Sequence, residues 1–169
     1  MNEKYYLNSD IEEIKNNLNK SLKYFSGKKF LISGANGFLG KYFIKTLLLI
    51  NKDLKKKVKI IAIDIKFDKS EIYLDKNVIK IKQDINNIKK INHKCDYVLH
   101  AAGIPSPKHY FNKPIDAIFT SITGTKKLLE YSKKNKSKFI FFSSSEIYGN
   151  PDKKNIPTKE TYNGNVSCI

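Results

Sequence analysis

Short runs of apolar residues alternate along the chain with longer segments in which apolar positions recur every three or four residues. The short runs predict buried strands, and they cover residues 29–33, 58–63, 78–81, 97–100 and 139–142. Most of them are apolar throughout, which is typical of strands that are covered on both faces. Strands that alternate with helices predict an α/β fold, a Rossmann-like doubly wound parallel sheet with helices on both faces.

The longer periodic segments predict three helical regions. The first begins near Asp10, a possible N-cap, and its apolar stripe consists of Ile11, Ile14, Leu18 and Leu22. The second covers residues 38–50 and directly follows a glycine-rich turn. The third begins at Pro114 and extends to about Lys134, because proline is favoured at the first position of a helix.

The chain of 169 residues suits one domain of ordinary size. Prolines and Gly164 interrupt any periodicity near its end, which predicts a loop there. We therefore expect three parts: an N-terminal helical leader over residues 1–27, a Rossmann domain over 28–149, and a loop over 150–169.

The composition narrows the possible partners. The formal net charge is +16, but all 32 basic residues are lysine and are spread along the chain. Nucleic-acid recognition usually recruits arginine forks, so we expect no nucleic-acid partner. A nucleic-acid binder remains an alternative, which steep salt dependence of binding would reveal.

The remaining composition predicts a cytoplasmic protein without a membrane partner. No window approaches the roughly 18 unbroken apolar residues of a membrane span, and the polar, acidic N-terminus does not resemble a signal peptide. Cys95 and Cys168 lack the spacing of metal ligands, so we expect no metal site.

The strongest motif is GANGFLG at residues 34–40, between the first strand and the second helix. Glycines let a backbone approach a pyrophosphate, and the amides at a helix start favour its negative charge. The alternative is a tight turn without a ligand. The motif predicts a dinucleotide site that includes Gly34, Asn36, Gly37, Phe38, Leu39 and Gly40.

Acidic residues follow the next two strands. Asp64, with Ile65, stands where a carboxylate accepts hydrogen bonds from ribose hydroxyls and repels a 2′-phosphate. This position favours NAD over NADP, although Lys66 leaves NADP open and Asp64 could instead be a helix cap or surface acid. Asp84 and Ile85 stand where they could contact the adenine.

Five motifs occur in an order and spacing that resembles the extended short-chain dehydrogenases/reductases: SGANGFLG, Asp64, Asp84-Ile85, HAAG at 100–103 and SSSEIYG at 143–149. The resemblance covers residues 28–169. The loops at 106–115, 124–129 and 143–151 look most like those of UDP-glucuronate decarboxylases. The dTDP-glucose 4,6-dehydratases and UDP-sugar 4-epimerases match these loops less well and remain alternatives.

The resemblance implies roles for individual residues. Ser144 would hydrogen-bond the sugar 4-oxygen, and Glu146 would be the acid beside it. Alternatively, the three serines merely satisfy backbone groups at the strand end. Further cofactor contacts would be Ala101, Ala102, Gly103 and Ser143, and the substrate contacts would be Ser106, Tyr110 and Ser145. His100 is expected to pack beside the cofactor loop.

The resemblance also implies oxidation at sugar C4 to a 4-keto intermediate, followed by decarboxylation, with NAD as cofactor, a nucleotide sugar (UDP-sugar favoured) as substrate, and a homodimeric parent enzyme. The family's catalytic tyrosine precedes a lysine by four residues. Only Tyr24 and Lys28 have that spacing, and they precede the first strand. We therefore expect an N-terminal fragment that is inactive alone. The non-enzymatic alternative is an NAD-binding module without catalysis.

Overall fold

The computed structural model describes residues 7–88, 90–104 and 111–166. Its centre is a parallel sheet of five strands in the order β3-β2-β1-β4-β5. The strands are β1 (Lys29–Ser33), β2 (Lys59–Asp64), β3 (Val78–Lys82), β4 (Tyr97–His100) and β5 (Lys138–Phe141). All five predicted strands are present, and their ends differ from the predicted ones by at most one residue.

One helix precedes β1, and the others connect strands. They are α1 (Asn8–Asn17), α2 (Phe38–Ile50), α3 (Pro114–Phe119) and α4 (Thr125–Asn135), with a π-helical turn, Thr120–Gly124, between the last two. Short 3₁₀ helices cover Asn19–Phe25, Glu71–Leu74, Ile85–Asn87, Ser145–Tyr148 and Lys153–Asn155. The third predicted helix is therefore two α-helices joined by a wider turn.

The N-terminal helix packs on the rest of the domain through Asp10 and Ile11. Leu7 occupies the N-cap position, so the prediction of an Asp10 cap is wrong. The Asp10 carboxylate instead accepts a hydrogen bond from the Tyr42 hydroxyl of α2 at 2.8 Å. Ile11 is 2% exposed and belongs to the core on that side of the sheet.

Two hydrophobic clusters lie on opposite faces of the sheet, which confirms the predicted arrangement of helices on both faces. Side chains of α1 and α2 form one cluster with β1, β2 and the 3₁₀ helix Glu71–Leu74. Leu128 of α4 lies in the other, against Leu31, Ile61 and Val98. Alternate residues of each central strand enter alternate clusters, because successive side chains point to opposite faces.

The two edge strands differ from the central ones. At β3, Ile79, Lys80 and Lys82 are exposed, and at β5, Lys138, Ile140 and Phe141 are exposed. Coverage of both faces therefore holds for the central strands but not for these two edges within the described residues. After β5, the chain forms little regular structure, and an isolated bridge joins Gly149 to Asn165. Among the described helices, none combines the length and apolar character needed to cross a bilayer.

Candidate cofactor site

A cleft of about 660 Å³ opens at the carboxyl ends of the central strands. The chain leaves β1 towards β2 on one side and reaches β4 on the other, so this is the point where the strand order reverses. Ligands of doubly wound sheets bind at such switch points. The lining includes twelve predicted cofactor residues: Gly34, Gly37, Phe38, Leu39, Gly40, Asp64, Ile65, Asp84, Ile85, Ala101, Ala102 and Gly103.

Different structural constraints explain why glycine occupies each of three positions in the turn. Gly34 has a φ of +70°, and a Cβ there would lie 2.5 Å from the Ala101 carbonyl oxygen. A Cβ on Gly40 would collide with the Gly34 carbonyl. Gly37 has an ordinary φ of −74°, and the nearest atom to its Cβ would be the Gly34 oxygen at 3.1 Å. Packing thus requires Gly34 and Gly40, whereas Gly37 mainly keeps the cleft side open.

The start of α2 provides the anion-binding groups. Gly37 is its N-cap, and the amides of Phe38, Leu39 and Gly40 form the first turn. The first amides of an α-helix have no acceptor within the helix, and the helix dipole adds partial positive charge there. Because these residues line the cleft, the turn fits a pyrophosphate.

Two backbone amides hold the Asp64 carboxylate. Its Oδ2 accepts from the Asn36 amide at 2.9 Å, and its Oδ1 accepts from the Lys66 amide at 3.2 Å. Each carboxylate oxygen has lone pairs for a further bond, so the group can still accept from ribose hydroxyls. Asn36 itself is outside the lining of the cleft. Its side-chain oxygen accepts a hydrogen bond from the Tyr73 hydroxyl at 3.1 Å, and its amide holds the Asp64 carboxylate in position.

Asp84 has a local bond as well as a position in the cleft. Its Oδ1 accepts from the Asn86 amide at 2.8 Å and caps the short helix Ile85–Asn87. The Ile85 side chain is 4% exposed and would contact a Cβ on Gly124 at 2.8 Å. The adenine wall predicted at Ile85 is therefore held in place by the π-helical turn.

His100 joins three elements beneath the cleft. It is 2% exposed; its Nδ1 lies 2.7 Å from Ser33 Oγ, and its Nε2 lies 2.9 Å from Thr125 Oγ1. Burial lowers the pKa of the His100 imidazole, which favours the neutral ring. The residue packs behind the loop 101–103, as the sequence predicts.

The predicted catalytic segment lies apart from this lining. Ser143, Ser144, Ser145 and Glu146 are exposed after β5, and none of them lines the cleft. Ser144 Oγ accepts from the Glu146 amide at 3.2 Å and caps the helix Ser145–Tyr148. Ser144 thus satisfies a backbone amide in this structure, which is what the alternative interpretation of the serines expects of it. Ser106 and Tyr110 lie outside the described residues.

The sequence interpretation missed several lining residues, namely Gln83, Asn86, Lys113, Asp116 and Thr120. Three of them, Lys113, Asp116 and Thr120, come from the N-cap of α3, α3 itself and the π-helical turn. Their spacing of three and four residues places them on one helix face, a signal that the sequence contained. Asn86 Nδ2 donates to Thr120 Oγ1 at 3.2 Å, so the two sides of the cleft are joined. In the described part of the chain, no three metal-ligating side chains converge.

Together, the strand order, the switch-point cleft and the glycine-rich turn are those of a Rossmann-like fold, a class of fold that binds dinucleotides at this position. Residues 30–166 match the model of the NAD dependent epimerase/dehydratase family. The chain belongs to this family, which confirms the sequence-based resemblance.

Two curated relatives show the range of similar proteins. The bifunctional polymyxin resistance protein ArnA of Wigglesworthia glossinidia brevipalpis is 35% identical over 136 residues, which are 77% of this chain and 20% of that protein. UDP-glucuronic acid decarboxylase 1 of Arabidopsis thaliana is 30% identical over 146 residues, 83% of this chain and 31% of the relative. The chain therefore spans about a fifth to a third of the length of these relatives.

Solved structures have the same fold. The epimerase Mth375 of Methanothermobacter thermautotrophicus has a TM-score of 0.70 at 22% identity, covering 85% of this chain and 43% of that one. The UDP-N-acetylglucosamine 4-epimerase of Methanobrevibacter ruminantium M1 has a TM-score of 0.64 at 28% identity, with coverages of 82% and 44%.

Proposed function

We propose that this chain binds NAD in the switch-point cleft and is the NAD-binding portion of a nucleotide-sugar-modifying enzyme that resembles UDP-glucuronate decarboxylases. The observation that carries the proposal is the pairing of an open helix N-terminus at Gly37 with a fixed carboxylate at Asp64 in one cleft. The family match and the decarboxylase relatives support the nucleotide-sugar part.

In this proposal, residues of the lining would hold each part of the cofactor. The amides that begin α2 would hold the pyrophosphate, and Asp64 would accept hydrogen bonds from the adenosine ribose hydroxyls. Asp84 and Ile85 would contact the adenine. Further proposed cofactor contacts are Ala101, Ala102, Gly103 and Ser143. NAD would serve as the hydride acceptor when a sugar is oxidised at C4.

On the sugar side, Ser144 and Glu146 are the proposed contacts with the reacting sugar, and Ser145 is a further substrate contact. Ser144 supplies both a hydroxyl donor and an acceptor for the 4-oxygen. Glu146 supplies a carboxyl group two residues away on the same exposed turn. The proposed substrate is a nucleotide sugar, with a UDP-sugar favoured. The proposal includes a cytoplasmic location and a homodimer for the full-length parent.

A UDP-sugar 4-epimerase is the second candidate. The observation that favours it is the 28% identical archaeal 4-epimerase, which matches 82% of this chain. Both candidates begin with oxidation at C4. Product analysis of a full-length parent discriminates them: carbon dioxide and a pentose indicate decarboxylation, whereas an inverted C4 hydroxyl indicates epimerisation.

The direct test is calorimetry of the folded chain with NAD and with NADP. We expect tighter binding of NAD, because Asp64 accepts from free ribose hydroxyls and repels a 2′-phosphate. Asp64→Ala should narrow the preference by roughly tenfold, the change that about 1.4 kcal/mol produces. Asp53→Ala is the matched control, since this aspartate follows α2 and pairs with Lys15, away from the cleft. Equal or better binding of NADP by the wild type would contradict the assignment of Asp64.

A further inference from the structure

Lys41 is a buried charged residue that follows the lining residue Gly40 in the chain. It lies in the first turns of α2, its side chain is 3% exposed, and its Nζ lies 2.5 Å from Asp68 Oδ2. Burial of an ammonium group is costly unless a countercharge accompanies it. Asp68 supplies that countercharge from the loop after β2, so the pair joins this loop to α2.

The charge state of Asp68 agrees with this pairing. Burial by itself raises the pKa of the Asp68 carboxyl, but the hydrogen bonds from Lys41 and from the Ser70 amide outweigh it, and the pKa falls below its usual value. Asp68 is thus ionised near neutral pH, and the two charges of the pair cancel.

A short path of hydrogen bonds connects the pair to the ribose side of the cleft. The Asp68 amide donates to Asn36 Oδ1 at 3.3 Å, and the Asn36 amide donates to Asp64 Oδ2 at 2.9 Å. Asn36 thus joins the backbone of Asp68 to the Asp64 carboxylate, and Lys41 neutralises the Asp68 carboxylate. The uncancelled charge beside the ribose is that of Asp64.

We propose that Lys41 and Asp68 are specificity-determining residues, in which Asp68 withholds the Lys41 ammonium from the 2′-phosphate that distinguishes NADP from NAD. The inference rests on the proposed NAD site and deepens it. Asp64 repels the 2′-phosphate directly. Asp68 acts through Lys41, because an ammonium group buried without this carboxylate would attract a phosphate bound beside Asp64 through poorly screened protein.

A second ion pair joins the same two parts of the chain and serves as the control. Lys45 of α2 lies 3.5 Å from Glu71 of the following 3₁₀ helix, but the Glu71 side chain is 78% exposed. This pair is screened by water and belongs to neither the cleft lining nor the Asn36 path. Glu71→Gln therefore removes an ion pair between α2 and the segment after β2 without changing the charge beside the proposed ribose position.

The experiment measures the dissociation constants of NAD and NADP for the folded wild type, Asp68→Asn, Lys41→Met, the double variant and Glu71→Gln. The readout is the ratio of the NADP constant to the NAD constant, because general destabilisation weakens both cofactors and leaves the ratio unchanged. Asp68→Asn should lower the ratio roughly fivefold, and Lys41→Met should raise it. The double variant, which has neither charge, should return to within about twofold of the wild type, as should Glu71→Gln.

The outcomes separate this inference from the proposed function. A wild type that prefers NAD, with an unchanged ratio in Asp68→Asn, overturns the inference alone. A wild type that binds neither cofactor overturns the proposed function and the inference with it. If Asp68→Asn does not fold, Lys41→Met and the double variant decide: a ratio that falls or stays constant in Lys41→Met, or one that does not return in the double variant, contradicts the proposal.

Discussion

The turn after β1 and the segment after β5 both follow parallel strands, and both contain a motif that the sequence identifies, yet the structure treats them differently. At the first, Gly34 and Gly40 fit against backbone without room for a Cβ, and the amides of Asn36 and its neighbours are committed to defined partners. At the second, residues 143–146 are exposed, and Ser144 bonds to its own turn. Close backbone packing and amide hydrogen bonds fix the geometry of the glycine-rich turn, whereas the side chains of residues 143–146 are exposed.

The largest expected difference between these two regions is in catalysis. The 169-residue chain should bind NAD but show no turnover of UDP-glucuronate, because the single Tyr-x-x-x-Lys spacing, Tyr24 and Lys28, precedes β1. A positioned general base contributes about 10²–10⁴-fold to a rate. Product formation under saturating NAD and UDP-glucuronate is the measurement. Robust turnover would show that residues 143–146 can complete the site without this pair.

Affinity for NAD should change on substitution in the turn after β1 and not on substitution in the segment after β5. Gly37→Val places a branched side chain where the pyrophosphate approaches the backbone, so NAD affinity should fall by roughly 100-fold, or about 2.7 kcal/mol. The fold should largely survive, because Gly37 has an ordinary φ. Ser144→Ala is the control and should change NAD affinity by less than about twofold. Titration by calorimetry, with circular dichroism to confirm folding, makes the comparison; equal affinities in the two variants would exclude this turn as the phosphate site.

Stability should show the same contrast. His100→Ala removes a buried ring and leaves the Ser33 and Thr125 hydroxyls without it, so the free energy of unfolding should fall by about 3 kcal/mol. Ser144→Ala removes an exposed cap and should cost about 1 kcal/mol or less. Urea denaturation of both variants measures the difference. Similar losses would mean that His100 does not join β1, β4 and α4 as its distances indicate.

The smallest expected effect is a pH dependence of the free energy of unfolding, which arises from the buried His100. Because the pKa of His100 is lowered on folding, its contribution to stability is present above the unfolded value of about 6.5. That contribution is lost as the pH falls from there through the folded pKa, at no more than about 1.4 kcal/mol per pH unit. Urea denaturation at several pH values should show this slope in the wild type and a shallower one in His100→Gln. Identical slopes would place the titration elsewhere.

The sequence predicted elements that local patterns determine. Strand β1 was predicted with both its ends, because an apolar run meets charge on one side and glycine on the other. The wide turn Thr120–Gly124 was missed, since it depends on the close contact between Gly124 and Ile85, which are distant in sequence. The Asp10 cap was wrong for a similar reason: Tyr42 competes for the carboxylate.

The residues of the candidate site also divide into those that local sequence patterns predict and those that depend on contacts between distant parts of the chain. The glycine motif and the acids at strand ends are local signals, and most of the residues predicted from them line the cleft. Asn36 lies outside the lining of the cleft, and its amide donates a hydrogen bond to Asp64. The ion pair of Lys41 with Asp68 has no sequence signal, because a buried lysine looks like any other lysine in a chain that contains 32 basic residues.

The exposed apolar residues of the β5 edge also bear on the association of protein molecules in solution. Lysines stand on the β3 edge, and charge on an edge strand discourages pairing between molecules. On β5, Lys138 is exposed at the start of the strand, but the exposed Ile140 and Phe141 that follow it carry no charge. We therefore expect repulsion from the net charge of +16 to help keep molecules apart. The Debye length is about 10 Å at 0.1 M salt and about 3 Å at 1 M. Concentrated solutions should therefore remain clear at low ionic strength and become turbid as salt rises.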